Sequence, residues 1–300
     1  MDMTQNKCCR HGASLRRRRR RRRKILRSII FSCSIIAVAG FVAVGSRMIR
    51  SGDGRTNKYD VEAGNNTYDN AVIENSKISE KNKIQNNQSM LDDIMNSTQY
   101  PKQLKDLALK NEEALEFVYD YPAEHVKEHT IDLTEEASMD SVPLFVQWDK
   151  RWGYEKYSGN FFAASGCGPT TLSMVVVYLT HNREASPIAV AKYSKEAGYS
   201  VDGSGSSWTL ISEGCMHYGV KAKAVALDES RMKAELDEGH PIVVNVGPGD
   251  FTDTGHFMVI TGYDDEGFSI NDPNSIEKSG KRWLFKNISS QIRAVWSMYV

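Results

Sequence analysis

Hydrophobic positions are spread very unevenly along this chain of 300 residues. Residues 28–46, SIIFSCSIIAVAGFVAVGS, run for 19 positions without a charge, about the length a helix needs to cross a bilayer. Residues 47–97 follow, rich in Asn, Ser, Asp, Lys and Glu and without hydrophobic period. They read as a disordered polar linker, too poor in apolar surface to fold. Periodicity resumes after Tyr100. Leu104, Leu107, Leu109, Leu115, Phe117 and Val118 recur at largely helical spacing through 101–119, with Pro101 suited to a first turn. An acidic connection fills 120–140.

From SVPLFVQWDKRWGY (141–154) onward the pattern is that of a folded domain. The apolar run LSMVVVYL predicts a helix over about 168–181. Ser186 and Pro187 open a second, which ends before Gly198. The loop DGSGSS (202–207) leads into WTLISEGCMHYG, a short helix stopped by Gly219. VKAKAVA (220–226) alternates like a strand, and DESRMKAELDEG (228–239) reads as a capped surface helix. PIVVNVG (241–247), HFMVITGY (256–263) and GFSIND (267–272) read as strands, the last two joined by a DDE turn, and RWLFK and AVWSMYV add two more. Helices first and a mainly antiparallel sheet afterwards argue for an α+β class.

Charge sharpens this division. The formal net charge is zero, yet Arg16 to Arg23 are eight consecutive arginines and twelve Lys/Arg precede the apolar run. Only Arg47, Arg50, Arg55 and Lys58 follow it closely. The positive-inside rule then keeps the N-terminus in the cytoplasm and exports the rest. It also accounts for the arginines without a nucleic-acid partner. Ala37-Val38-Ala39 resembles a signal cleavage site, but the apolar run continues past it, which favours a retained anchor. The expected organisation is a cytoplasmic tail at 1–27, a transmembrane anchor at 28–46, a linker at 47–97 and an exported domain at 98–300. That domain holds two cysteines, Cys167 and Cys215, so at most one disulfide and no disulfide scaffold.

Cys167 sits in SGCGPTT, at the start of the apolar helix. A helix N-terminus stabilises a thiolate through its dipole and free N–H groups. Gly166 and Gly168 read as room for a substrate carbonyl, Pro169 presets the first turn, and the Cys167 N–H is placed to serve an oxyanion. A small buried cysteine near a tight turn is the plainer alternative. For a base, His181 is excluded because it lies ~21 Å away at the far end of the same helix. His217 and His240 read as solvated or capping residues. His256 begins a buried strand behind Gly255. Asp272, in INDPN, ends the next strand, and the hairpin midpoint at Asp264 brings both to one end. A turn-forming Asp-Pro is the plainer reading there. Cys167, His256 and Asp272 together follow triad logic.

The stretches VPLFVQWDKRWGY, SGCGPTTLSM, GHFMVITGY and INDPN, in this order, resemble the family-39-like cysteine peptidases of bacteria. These are relatives of the bacteriocin leader peptidases, with a papain-like fold. YPKQLKDLALKNEEALEFVYDYP also looks like the leader helix of exported members. The resemblance spans roughly 98–300 and implies Cys167 as nucleophile, His256 as base and Asp272 as its orienting acid. Papain-like enzymes carry a glutamine six positions before the cysteine; here that position is Phe161. Gln147, after a short strand-like run, is the nearest candidate oxyanion donor, and a strand-end glutamine fits equally. No transporter domain or Walker motif accompanies the chain, so double-glycine leader specificity is not carried over.

The expectation is an extracellular, membrane-anchored peptidase with a peptide or protein substrate and no metal, nucleotide or flavin. A peptidoglycan amidase or endopeptidase is one alternative. A non-catalytic peptide-binding module, using Trp148, Trp152 and Trp208, is another. GPGDFTDTG (247–255) reads as a mobile rim beside His256.

Overall fold

The computed structural model describes residues 66–300. The polyarginine tail and the apolar run at 28–46 lie outside them. Among the described residues no helix is long and apolar enough to cross a membrane. Residues 70–300 form one compact unit.

Among the described residues, five longer helices and one six-stranded sheet organise it. The helices are α1 (Asn66–Asn96), α2 (Lys102–Lys110), α3 (Cys167–Thr180), α4 (Pro187–Glu196) and α5 (Glu229–Asp237). The strands are β1 (Lys221–Ala224), β2 (Ile242–Val246), β3 (His256–Asp264), β4 (Gly267–Asn271), β5 (Arg282–Trp283) and β6 (Ile292–Tyr299). They form one antiparallel sheet in the order β1-β6-β2-β3-β4-β5. The class is therefore mixed α+β, as the order of periodic segments implied.

Every residue of β2 is buried, because both faces of the sheet are covered. Val243, Phe257, Val259 and Met298 join the apolar side chains of α3 in one core. Ile242, Val244, Val246, Met258 and Ile260 join Met232 of α5 and the C-terminal Ile288 and Ile292 in a second. Strands covered on both faces lose polar alternation and read as apolar runs, which is what IVVNV and HFMVI show.

Caps fix the helix ends as expected. Ser186 Oγ accepts from Ala189 N at 3.3 Å, Asp228 Oδ1 from Arg231 N at 3.0 Å, and Gly219 takes a left-handed φ of 73°.

Three expectations are corrected here. The polar linker through 97 gives way to α1, whose C-terminal Met90, Leu91 and Ile94 pack with Leu104, Leu115 and Phe117 in a third core. The single helix over 101–119 is broken at Asn111, whose backbone is extended and whose side chain accepts from Glu113 N. The run before Gln147 is not a strand. Asn271 Nδ2 holds Val142 O and Pro143 O at 3.1 and 3.0 Å, so a side chain rather than a ladder secures it.

Candidate active site

Cys167 is the first residue of α3 and is partly exposed, while Gly168 to Val177 behind it are buried. Pro169 costs the first turn no bond, since that turn has no acceptor for an N–H there. Thr171 Oγ1 donates to Phe257 O at 3.1 Å, tying the cysteine's helix to the strand residue after His256. The glycines on either side are explained by packing rather than by substrate access. A Cβ on Gly166 would fall 2.6 Å from the Phe162 ring, and one on Gly168 would fall 2.6 Å from Ser206 Oγ. The DGSGSS loop thus presses on the helix start, with Ser206 Oγ 2.6 Å from Tyr157 Oη.

His256 begins β3, opposite Val246. Its Nε2 lies 2.7 Å from Asp272 Oδ1, and the pair is buried. A carboxylate acceptor at Nε2 places the proton there and leaves Nδ1 for the thiol. The approach of His256 to the Cys167 thiol, side chain to side chain, shows in the electrostatics of both. Burial alone would raise the thiol pKa. The hydrogen bond and charge of His256, with backbone hydrogen bonding at Phe257 and Gly168, bring it below the ordinary value. Burial alone would likewise lower the imidazole, but Asp272 and then Cys167 carry it well above its ordinary value. Both shifts favour a thiolate–imidazolium pair.

Asp272 stands one residue beyond β4. Its neighbour Asn271 lies opposite Val259, so Asp272 is not directly opposite His256. The hairpin closes at Asp264 and Gly267 and carries a bulge between Ile260 and Gly262, which displaces the simple midpoint. The side chains close the gap. Asp272 Oδ1 also accepts from Asn274 N at 2.8 Å, and Asp272 N donates to Ser279 Oγ at 2.9 Å. Asp272 Oδ2 is buried without a partner.

Gln147 is buried between Ala163 and the turn after Asp272. Its Nε2 donates to Ala163 O at 2.7 Å and faces Asn274 Oδ1 at 3.4 Å. Its backbone N–H donates to Pro273 O at 2.7 Å. The other histidines after Cys167 are engaged elsewhere: His181 on Ala137 O, His217 stacked on Tyr193, and His240 on Glu235.

Trp152 is buried in the core against Phe145, and Trp148 Nε1 donates to Asn274 O. The three tryptophans therefore do not line one open groove; of them only Trp208 is largely exposed. Cys167 and Cys215 are both free thiols. The segment expected as a mobile rim is tied down: Asp250 N donates to Gln291 Oε1 at 2.7 Å, and Phe251 is buried against Trp283. Asn274 belongs to the site although nothing in INDPN beyond the aspartate marks it. Its backbone N–H is the second donor to the Asp272 carboxylate.

Residues 139–300, more than half of the chain, match the model of the Peptidase_C39 like family. The chain belongs to that family. Among solved structures it is similar to the peptidase domain of Streptococcus ComA, a bi-functional ABC transporter involved in a quorum sensing pathway. That similarity has 19% identity and a TM-score of 0.39, and covers 53% of this chain and 96% of that one. It is also similar to a putative C39-like peptidase from Bacillus anthracis, at 18% identity and a TM-score of 0.33, over 53% of this chain and 95% of that one. No curated protein matches the chain. The Peptidase_C39 like span contains Gln147, Cys167, His256 and Asp272. Residues 70–96 of α1 and helix α2 precede it, within the same compact unit.

Proposed function

We propose that the chain is a papain-like cysteine peptidase that hydrolyses peptide bonds through Cys167, His256 and Asp272. One observation carries the reading: the buried His256–Asp272 pair, with Nε2 and Oδ1 2.7 Å apart, beside a thiol at a helix N-terminus. Cys167 Sγ attacks the substrate carbonyl carbon and forms the C–S bond, and the carbonyl electron pair moves onto oxygen. His256 gives its Nδ1 proton to the leaving amine as the C–N bond breaks, which leaves a thioester. Water then attacks the thioester, His256 takes its proton, and the thiolate departs from the acid product. Asp272 holds the imidazole in the tautomer this needs.

The Cys167 N–H is one donor for the oxyanion. Gln147 Nε2 has two N–H bonds. One is on Ala163 O, and the other, with only a long contact to Asn274 Oδ1, is the second donor in this reading. The uncharged run at 28–46 behind twelve cationic residues supports a retained anchor with the peptidase outside the cell.

Exposing a quenched-fluorescent peptide library to the purified domain, with Cys167→Ala as control, tests the activity. Cleavage lost in the variant supports it. Release of muropeptides from peptidoglycan, with no peptide cleaved, would instead make the chain a wall hydrolase. Labelling of Cys167 by a membrane-impermeant thiol reagent on intact cells tests the location, and protection until lysis would contradict it.

A further inference from the structure

The turn that carries Asp272 is held by residues outside the Peptidase_C39 like span. After Asp272 the chain enters a one-turn helix, Ile276–Ser279, with Ser275 as its cap. Ser275 Oγ accepts from Lys278 N at 3.1 Å. A capping box would put Glu or Gln at that third helical position, but Lys278 offers no acceptor. Glu113 supplies one from far upstream. Its carboxylate accepts from Ser275 Oγ, from Ile276 N at 2.7 Å and from Glu277 N at 3.1 Å. Asn111 grips the same turn, Nδ2 donating to Asn274 O at 2.9 Å and to Asn274 Oδ1 at 3.1 Å. Asn111 Oδ1 meanwhile accepts from Glu113 N at 3.0 Å. The break that ends α2 is therefore what aims Glu113.

We propose that Asn111 and Glu113 are positioning residues of the active site. They clamp the turn through Asn274 and Ser275, and Asn274 N in turn donates to the Asp272 oxygen that meets His256. Neither touches a reacting atom. The helices before the peptidase span thus set the reactivity of Cys167 as well as adding stability. This rests on the triad reading above.

The test uses the full chain, records a melting curve for every variant, and follows iodoacetamide alkylation of Cys167 across pH. Glu113→Ala and Asn111→Ala are expected to slow alkylation on the acid side of neutrality by about 5-fold, in the direction of Asp272→Asn, while melting near the wild type. Glu113→Gln, which keeps one acceptor oxygen, recovers part of the rate. Should Glu113→Ala fail to fold, Asn111→Ala and Glu113→Gln carry the same readout. Variants that alkylate as the wild type, even if they melt earlier, overturn the proposal while a shifted Asp272→Asn profile leaves the triad standing. If Asp272→Asn and His256→Ala also match the wild type, the triad reading fails and the clamp falls with it.

Discussion

His256 Nε2 and Asp272 Oδ1 meet at 2.7 Å although Asp272 lies past the last paired residue of its strand. A contact made beyond the ladder depends on the turn that follows, and the chemistry assigned to His256 depends on that contact. Replacing Asp272 by Asn keeps the shape but removes the charge that sustains the imidazolium. Turnover of a cleaved peptide is expected to fall about 100-fold or more in kcat. A fall confined to KM would assign Asp272 to substrate binding instead.

The acid–base behaviour has a definite sign. Cys167 is held below the ordinary thiol value and His256 above the ordinary imidazole value. The reactive ion pair therefore forms as pH rises through the lower titration and is lost as pH rises through the upper one, both steps belonging to the coupled pair. A rate–pH profile of kcat/KM is expected to be bell-shaped, with its acid limb below the ordinary cysteine range. His256→Ala moves that limb upward.

Gly168 is required by the approach of Ser206, whose Oγ would stand 2.6 Å from an added Cβ. Gly168→Ala is expected to cost about 1–3 kcal/mol through overpacking, read by chemical denaturation. Adding Ser206→Gly recovers part of the loss. If the double variant is no more stable than the single one, the constraint lies elsewhere.

Thr171 ties α3 to β3 through Phe257 O. Thr171→Val leaves that buried carbonyl without its donor. It is expected to cost about 1 kcal/mol, seen as a fall of about 2–4 °C in Tm for a domain of this size. An unchanged Tm would show that the bond contributes nothing net.

Much of the fold around the candidate site was legible in the sequence. The helix that opens at Cys167 begins and ends within a residue of the expected 168–181, and the hairpin strands fall within a residue of their expected spans, because strong periodicity and Gly and Pro boundaries are local signals. The misses are non-local. Nothing around Asn111 announces that its side chain reaches Asn274. The two glycines beside Cys167 suggested open space, whereas the structure fills it with Phe162 and Ser206. Helix α1 is polar along most of its length, and among its described side chains those that pack into the core lie near its end, so composition pointed to a linker.

That anchor is itself testable. Ile94 is fully buried with Leu104 and Phe117. Ile94→Ala is expected to destabilise the chain by about 2–4 kcal/mol, measured by denaturant titration. A solvated linker would show no change.

The central claim is that His256 and Asp272 make Cys167 a thiolate, and thiol chemistry reports this without a known substrate. Cys215 is an internal reference, since burial pushes its pKa up to about 11. The decisive measurement is the rate of iodoacetamide labelling at each cysteine by mass spectrometry from about pH 5 upward, in the wild type and in His256→Ala. Fast labelling of Cys167 that persists on the acid side, disappears in His256→Ala and spares Cys215 is the expected result. Slow labelling of both cysteines, rising together only as ordinary thiols ionise, would contradict it.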